Sequence, residues 1–264
     1  MKITILDIKK MKKEGRKIPV LTAYDYTMAK ILDSAGIPIL LVGDSSGMVF
    51  AGYESTVPVT IEEIIYHTRS VARARKNALV VADMPFLSYQ VTTQDAKRNA
   101  GRLVKEGGAE AVKLEGGESI KDTVKAIVEM GVPVMGHVGL QPQSIHKMGG
   151  YKIQGRTKKQ RQQILKDVKA IEKAGAFSVV LEGIPQDLAK QITETVSIPT
   201  IGIGAGIHCD GQVLVLYDML GLYKDISPSF VKRYAELNDI ITSAVERYID
   251  EVKAGKFPEN KHSF

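Results

Sequence analysis

Eight short apolar runs, separated almost throughout by segments of helical periodicity, set the fold this chain can adopt. They cover 19–23, 39–44, 79–83, 111–115, 133–138, 178–182, 199–203 and 212–217. Polar and apolar residues do not alternate within them. Leu79-Val80-Val81-Ala82 and Val179-Val180-Leu181 are continuous, as in strands covered on both faces. Regular strand–helix alternation calls for a parallel sheet, and eight units in 264 residues match one (β/α)8 TIM barrel domain over 1–264.

The punctuation agrees. Thr60 with Glu63, Thr92 with Asp95 and Ser119 with Asp122 have the spacing of helix-opening caps. Gly36, Gly107, Gly131 and Gly175 stand where helices should stop. Four places depart from simple alternation. The opening segment, with Ile5, Ile8 and Met11 at helical spacing, follows no strand and is expected to cap the amino-terminal mouth. Connection 204–211 is shorter than the dozen or so residues of a usual parallel crossover. Either the seventh helix is a single turn or 212–220 is partly helical. The Gly- and Gln-rich stretch 139–156 reads as a long rim loop that covers the site, with the Tyr53 region beside it. Over 228–252, Phe230, Tyr234, Leu237, Ile241, Val245, Ile249 and Val252 form one stripe, predicting a long closing helix.

Composition excludes several classes of function. The single Cys209 rules out an internal disulfide, and with no apolar run of about twenty residues a soluble, cytoplasmic protein with no membrane partner is expected. The net charge of +6 comes from Lys and Arg interleaved with Glu and Asp, and 158–161 reads as a solvated helix start. Aromatic stacking runs and zinc-finger spacings are missing, so no nucleic-acid partner is expected.

The chemistry lies at the strand ends. Asp44, Asp83, Glu115 and Glu182 each close an apolar run, which in a parallel barrel places them at the carboxyl rim. Converging carboxylates repel unless a cation joins them. An oxygen-rich, nitrogen-poor set selects a hard ion, so Asp44, Asp83 and Glu115 are the candidate ligands for Mg2+. Such an ion could polarise a ketone and stabilise an enolate beside it. Glu182, two strands further round in an apolar setting that would raise its pKa, is the candidate general base. Lys113 shares a strand face with Glu115; it reads either as a cation for a substrate carboxylate or as a buried ion-pair partner. Ser45 is either a donor to substrate or a turn serine, and His137 either contacts substrate or makes a structural hydrogen bond. His67, His146, His208 and His262 lack metal-ligand spacing, and the 202–206 glycine segment lacks the pattern of a nucleotide loop.

Several segments together resemble the ketopantoate hydroxymethyltransferase family: Leu21-Thr-Ala-Tyr-Asp-Tyr, Val42-Gly-Asp-Ser, Ala82-Asp-Met-Pro-Phe, Val112-Lys-Leu-Glu-Gly-Gly, Gly136-His-Val-Gly-Leu-Gln-Pro-Gln, Gly149-Gly-Tyr-Lys-Ile-Gln-Gly-Arg and Ile201-Gly-Ile-Gly-Ala-Gly. The similarity runs from about Lys17 to Phe264 in the family's order. The resemblance implies transfer of a one-carbon unit from 5,10-methylenetetrahydrofolate to 3-methyl-2-oxobutanoate, giving 2-dehydropantoate for pantothenate and coenzyme A synthesis. It implies magnesium at Asp44, Asp83 and Glu115, keto-acid contacts from Ser45, Asp83 and Lys113, Glu182 as base, and a homo-oligomer, often a decamer. A magnesium-dependent lyase or mutase of related barrel type, acting on another 2-oxo acid, is the alternative, and a catalytically silent anion-binding barrel a second.

Overall fold

The computed structural model describes residues 2–225 and 228–264, and every apolar run overlaps a strand, the last only over 212–214. The strands β1 (Ile18–Thr22), β2 (Ile39–Val42), β3 (Leu79–Asp83), β4 (Ala111–Glu115), β5 (Val134–Gly139), β6 (Ser178–Glu182), β7 (Thr200–Ile203) and β8 (Gly211–Leu214) pair in chain order. All pairings are parallel, and β8 closes on β1, making the TIM barrel the sequence predicts. Helix α1 (Ile5–Lys13) precedes β1, and α2 (Tyr26–Ser34) leads to β2. Then α3 (Ser46–Val49) and α4 (Ile61–Ala74) lead to β3, α5 (Thr93–Arg102) to β4, and α6 (Lys121–Glu129) to β5. Next α7 (Ile145–Met148) and α8 (Lys158–Lys173) lead to β6, and α9 (Gln186–Thr195) to β7. The sequence reading takes 1–264 as one domain; the chain's contacts group it into two units, Met1–Leu214 with the whole barrel and Val215–Phe264.

Side chains alternate along a strand, so every second residue enters the barrel. Ile18, Val20, Ile39, Leu41, Leu79, Val81, Ala111, Met135, Val180, Ile201 and Val213 belong to one buried cluster. Two residues on from Val81, Ala111, Met135 and Val180 stand Asp83, Lys113, His137 and Glu182, with Glu115 a further two along. Along β3, β4, β5 and β6 the interior thus passes from apolar layers to a polar rim.

Helix α1 opens with a capping box between Thr4 and Asp7 and seats Ile8, fully buried, in the core cluster, with Ile5 and Met11 packed alongside. This is the expected cap. Burying one such side chain is worth about 1.5–3 kcal/mol. Lys12 anchors it, its Nζ donating to the carbonyls of Thr193, Val196 and Ile198 at 2.9–3.2 Å and pairing with Asp210 at 3.0 Å.

Capping at Thr60–Glu63 and Thr92 is as predicted. Ser119 is not a cap: it lies within a 3-10 turn, Glu118–Ile120, whose first N–H donates to Asp167 Oδ1 at 2.9 Å. Gly36, Gly131 and Gly175 take positive φ, but Gly107 falls inside a π-type turn, Leu103–Gly107, and Gly108 at φ +81° makes the stop. Between β7 and β8 there is no helix. A Cβ on Gly206 would lie 2.4 Å from Gln186 Cβ and one on Gly211 2.2 Å from the Ile18 carbonyl, so the chain passes through space that only glycine leaves open.

In the second unit, α10 (Leu216–Met219) follows β8 directly, so 212–220 is partly helical, and α11 spans Leu237–Lys253. The closing helix starts nine residues later than its apolar stripe suggests. The N–H groups of Tyr234, Leu237 and Asn238 bond to the carbonyls of Met219, Leu220 and Gly221, which holds 234–238 as a turn at the end of α10. No helix of the described residues is long and apolar enough to cross a membrane.

Candidate active site

Six of the seven side chains singled out from the sequence are buried or nearly so at the carboxyl rim. Asp83 and Glu115 end β3 and β4, Glu182 ends β6, Lys113 and His137 lie within β4 and β5, and Asp44 follows β2. Lys113 Nζ stands 2.8 Å from Asp83 Oδ1, and Asp83 Oδ2 accepts the Asp44 backbone N–H at 3.0 Å. Gly43 makes this possible, since a Cβ there would meet Ser45 Oγ at 2.7 Å. Ser45 completes the set at the start of α3, its Oγ 2.9 Å from the Tyr24 hydroxyl. The Tyr24 carbonyl lies 2.7 Å from Nδ1 of buried His67, whose ring meets Phe50 and Tyr66 edge-on, a structural role.

His137 sits between two acids, with Nδ1 3.5 Å from Glu115 Oε1 and Nε2 3.3 Å from Glu182 Oε2. Both ring nitrogens are buried without a well-formed hydrogen bond. Glu182 is the most accessible of the acids, its side chain 14% exposed against 2–3% for Glu115 and Asp83.

Electrostatics set the acids apart from ordinary carboxylates. Burial, joined by the charge of Asp83, pushes the Asp44 carboxyl up to about 7, with Lys113 and the Gln143 amide pulling the other way. Burial also raises Glu115 well above the usual range; Lys113 opposes this, and the charges of Asp44, Glu182 and Asp83 add to it. For Lys113, burial works against the ammonium, but Asp83, Glu115 and Asp44 outweigh it and hold it protonated. One ammonium faces several carboxylates, so ionising all of them leaves an excess of negative charge in a dry rim.

Two residues that sequence reasoning missed organise this cluster. Gln143, in a 3-10 turn (Pro142–Ser144) after β5, is buried and reaches across the mouth. Its Nε2 donates to Asp44 Oδ2 at 2.8 Å and to the Met84 carbonyl at 2.9 Å, and its backbone N–H donates to Glu115 Oε2 at 3.1 Å. The Tyr89 hydroxyl, 2.8 Å from Gln143 Oε1, also accepts the Glu115 backbone N–H at 3.1 Å. The 139–156 loop was legible as a rim element, but a lone Gln in a loop has no periodic signal to mark it. Tyr53, by contrast, turns its hydroxyl to Glu63 at 3.0 Å, in the cap of α4.

Among the described residues, no three His, Cys, Asp or Glu side chains are gathered tightly enough to hold a metal as they stand. The donor chemistry still fits magnesium: oxygen ligands only, buried, and short of positive charge. That ion is typically bound by one or two carboxylates with waters and substrate oxygens rather than in an all-protein cage. Asp44, Asp83 and Glu115 are the residues that could hold it.

A family model described as ketopantoate hydroxymethyltransferase matches residues 2–260. The chain belongs to this family. Among family relatives, it is 65% identical over 263 residues to the 3-methyl-2-oxobutanoate hydroxymethyltransferase of Geobacter metallireducens, covering 100% of this chain and 98% of that one. It is 62% identical to the enzyme of the same name from Geobacter sulfurreducens, covering 99% and 98%. Solved structures show where the family's fold sits. Phosphonopyruvate hydrolase in complex with oxalate and magnesium superposes with a TM-score of 0.64 at 11% identity, covering 98% of this chain and 93% of that one. A 2,3-dimethylmalate lyase of the PEP mutase/isocitrate lyase superfamily gives 0.64 at 14%, covering 100% and 92%. At such identities the likeness is one of fold alone.

Proposed function

We propose that the protein is a 3-methyl-2-oxobutanoate hydroxymethyltransferase that takes its one-carbon unit from 5,10-methylenetetrahydrofolate and gives 2-dehydropantoate for pantothenate and coenzyme A synthesis. The observation that carries the reading is the family match over 2–260, with relatives above 60% identity along the whole chain. The rim chemistry supports it. Magnesium, when bound by Asp44, Asp83 and Glu115, would supply electrophilic stabilisation for the enolate of the keto acid.

The remaining steps fall to the chain's own side chains. Lys113 and Ser45 bind the keto acid's carboxylate end, one by charge and the other through its hydroxyl. Glu182, the accessible acid, removes the proton from C3. His137, its Nε2 3.3 Å from Glu182 Oε2, lines the site beside the base, within reach of the substrate. C3 then bonds to the methylene carbon as that carbon's bond to one folate nitrogen breaks, and water displaces the second folate nitrogen to leave the hydroxymethyl group, the C3 proton and a water proton going to the two nitrogens of the released tetrahydrofolate. Holding two substrates in register lowers the barrier further by trading bimolecular encounter for orientation. We read the protein as cytoplasmic and as a homo-oligomer, a decamer, whose mass sedimentation would report.

The test is product formation by mass spectrometry with the keto acid, magnesium and either the reduced folate or no carrier. Folate-dependent 2-dehydropantoate is expected. Turnover of the keto acid to a cleavage product without folate would overturn the proposal in favour of a lyase.

A further inference from the structure

Gln143 ties together three strand ends, those of β2, β3 and β4, through its side-chain amide and its backbone N–H. Its Nε2 donates to Asp44 and the Met84 carbonyl; its Oε1 faces the Tyr89 hydroxyl and Gln90 Nε2 at 2.8 and 3.3 Å. The amide can be placed only one way round. Its nitrogen side meets the Met84 carbonyl, which only accepts, while its oxygen side meets the Gln90 amide, which donates, and the Tyr89 hydroxyl, whose one proton lies between Oε1 and the Glu115 carbonyl.

We infer that Gln143 is a positioning residue of the cation site, fixing one oxygen of Asp44 and one of Glu115 so that the second oxygen of each, that of Glu115 lying beside His137, is left to meet a divalent ion. The inference rests on the reading of these acids as the magnesium site. Its physical basis is preorganisation. An unheld carboxylate must be ordered when an ion binds, at a cost in side-chain entropy that a carboxylate already held does not meet. Gln143 has already ordered both, with its side-chain amide at Asp44 Oδ2 and its backbone N–H at Glu115 Oε2. Tyr89 locks the arrangement by holding Oε1 and, through the Glu115 backbone N–H, the strand end itself.

The test is titration of the purified chain with Mn2+, followed by the electron paramagnetic resonance of the free ion, without keto acid. Wild type is compared with Gln143→Met, which keeps length and loses the amide, and Gln143→Ala. Removal of such a partner is expected to weaken ion binding about 10–100-fold. Thermal unfolding in chelator, run in parallel, separates this from simple destabilisation: a lowered melting temperature with Mn2+ affinity within twofold of wild type would overturn the assignment. Should both variants fail to fold, Tyr89→Phe frees the amide and is expected to weaken binding several-fold; unchanged affinity there would also overturn it. Absence of Mn2+ binding by wild type would instead sink the metal reading on which the inference stands.

Discussion

Asp44→Asn is expected to stabilise the metal-free protein while abolishing its activity, and the stabilisation should depend on pH. The Asp44 carboxyl is lifted from 3.8 to about 7, first by burial and then by Asp83. Between those values the folded state keeps a proton that the unfolded state has released, so stability falls as pH rises through the window and the full penalty stands above about 7. A shift of that size corresponds to about 4 kcal/mol. Asn cannot ionise and still accepts from Gln143 Nε2, so it removes the penalty. At pH 8 the gain should approach 4 kcal/mol, or about 8–16 °C in melting temperature for a chain of this size. It should shrink toward zero as pH nears 3.8. The assay is denaturant and thermal unfolding in chelator at several pH values, repeated with magnesium, which should erase the advantage by stabilising wild type alone. A variant less stable than wild type at pH 8, or a gain independent of pH, would refute the reasoning.

Two further outcomes follow from the same geometry. Lys113→Met removes the buried ammonium 2.8 Å from Asp83 and leaves the acids unbalanced; a loss of about 3–5 kcal/mol at pH 8 in chelator is expected by unfolding, partly restored by magnesium. Gly139→Ala places a Cβ 2.2 Å from the Glu182 carbonyl at a residue with φ +95°, so activity should fall at least tenfold with a lowered melting temperature, whereas Gly101→Ala, within α5 with open space around it and no positive φ, should leave turnover near wild type.

The barrel and its polar rim were legible because both follow from local pattern. Runs apolar on both faces identify parallel strands, and an acid closing such a run has nowhere to go but the rim, which is why Asp83, Glu115 and Glu182 stand where the sequence places them. What depended on distant contacts was not legible. Ser119 has a capping pattern, yet the Asp167 carboxylate on α8 takes the turn's first N–H. The stripe from Phe230 is continuous, but backbone bonds to Met219 and Leu220 delay the helix to Leu237. Gln143 and Tyr89 matter only through partners 28 to 99 residues away for the one and 26 and 54 for the other, a relation no spacing rule contains.

The central claim is that Glu182 removes a proton from the substrate at a cation-assisted rim. Deuterium exchange at C3 of 3-methyl-2-oxobutanoate, followed by NMR without folate, tests it most directly. Wild type with magnesium should exchange the C3 proton, while chelator or Glu182→Gln should slow exchange by about 10²–10⁴-fold, the range for loss of a positioned general base. Equal exchange by wild type and Glu182→Gln would contradict the assignment of the base, and with it the mechanism proposed for this chain.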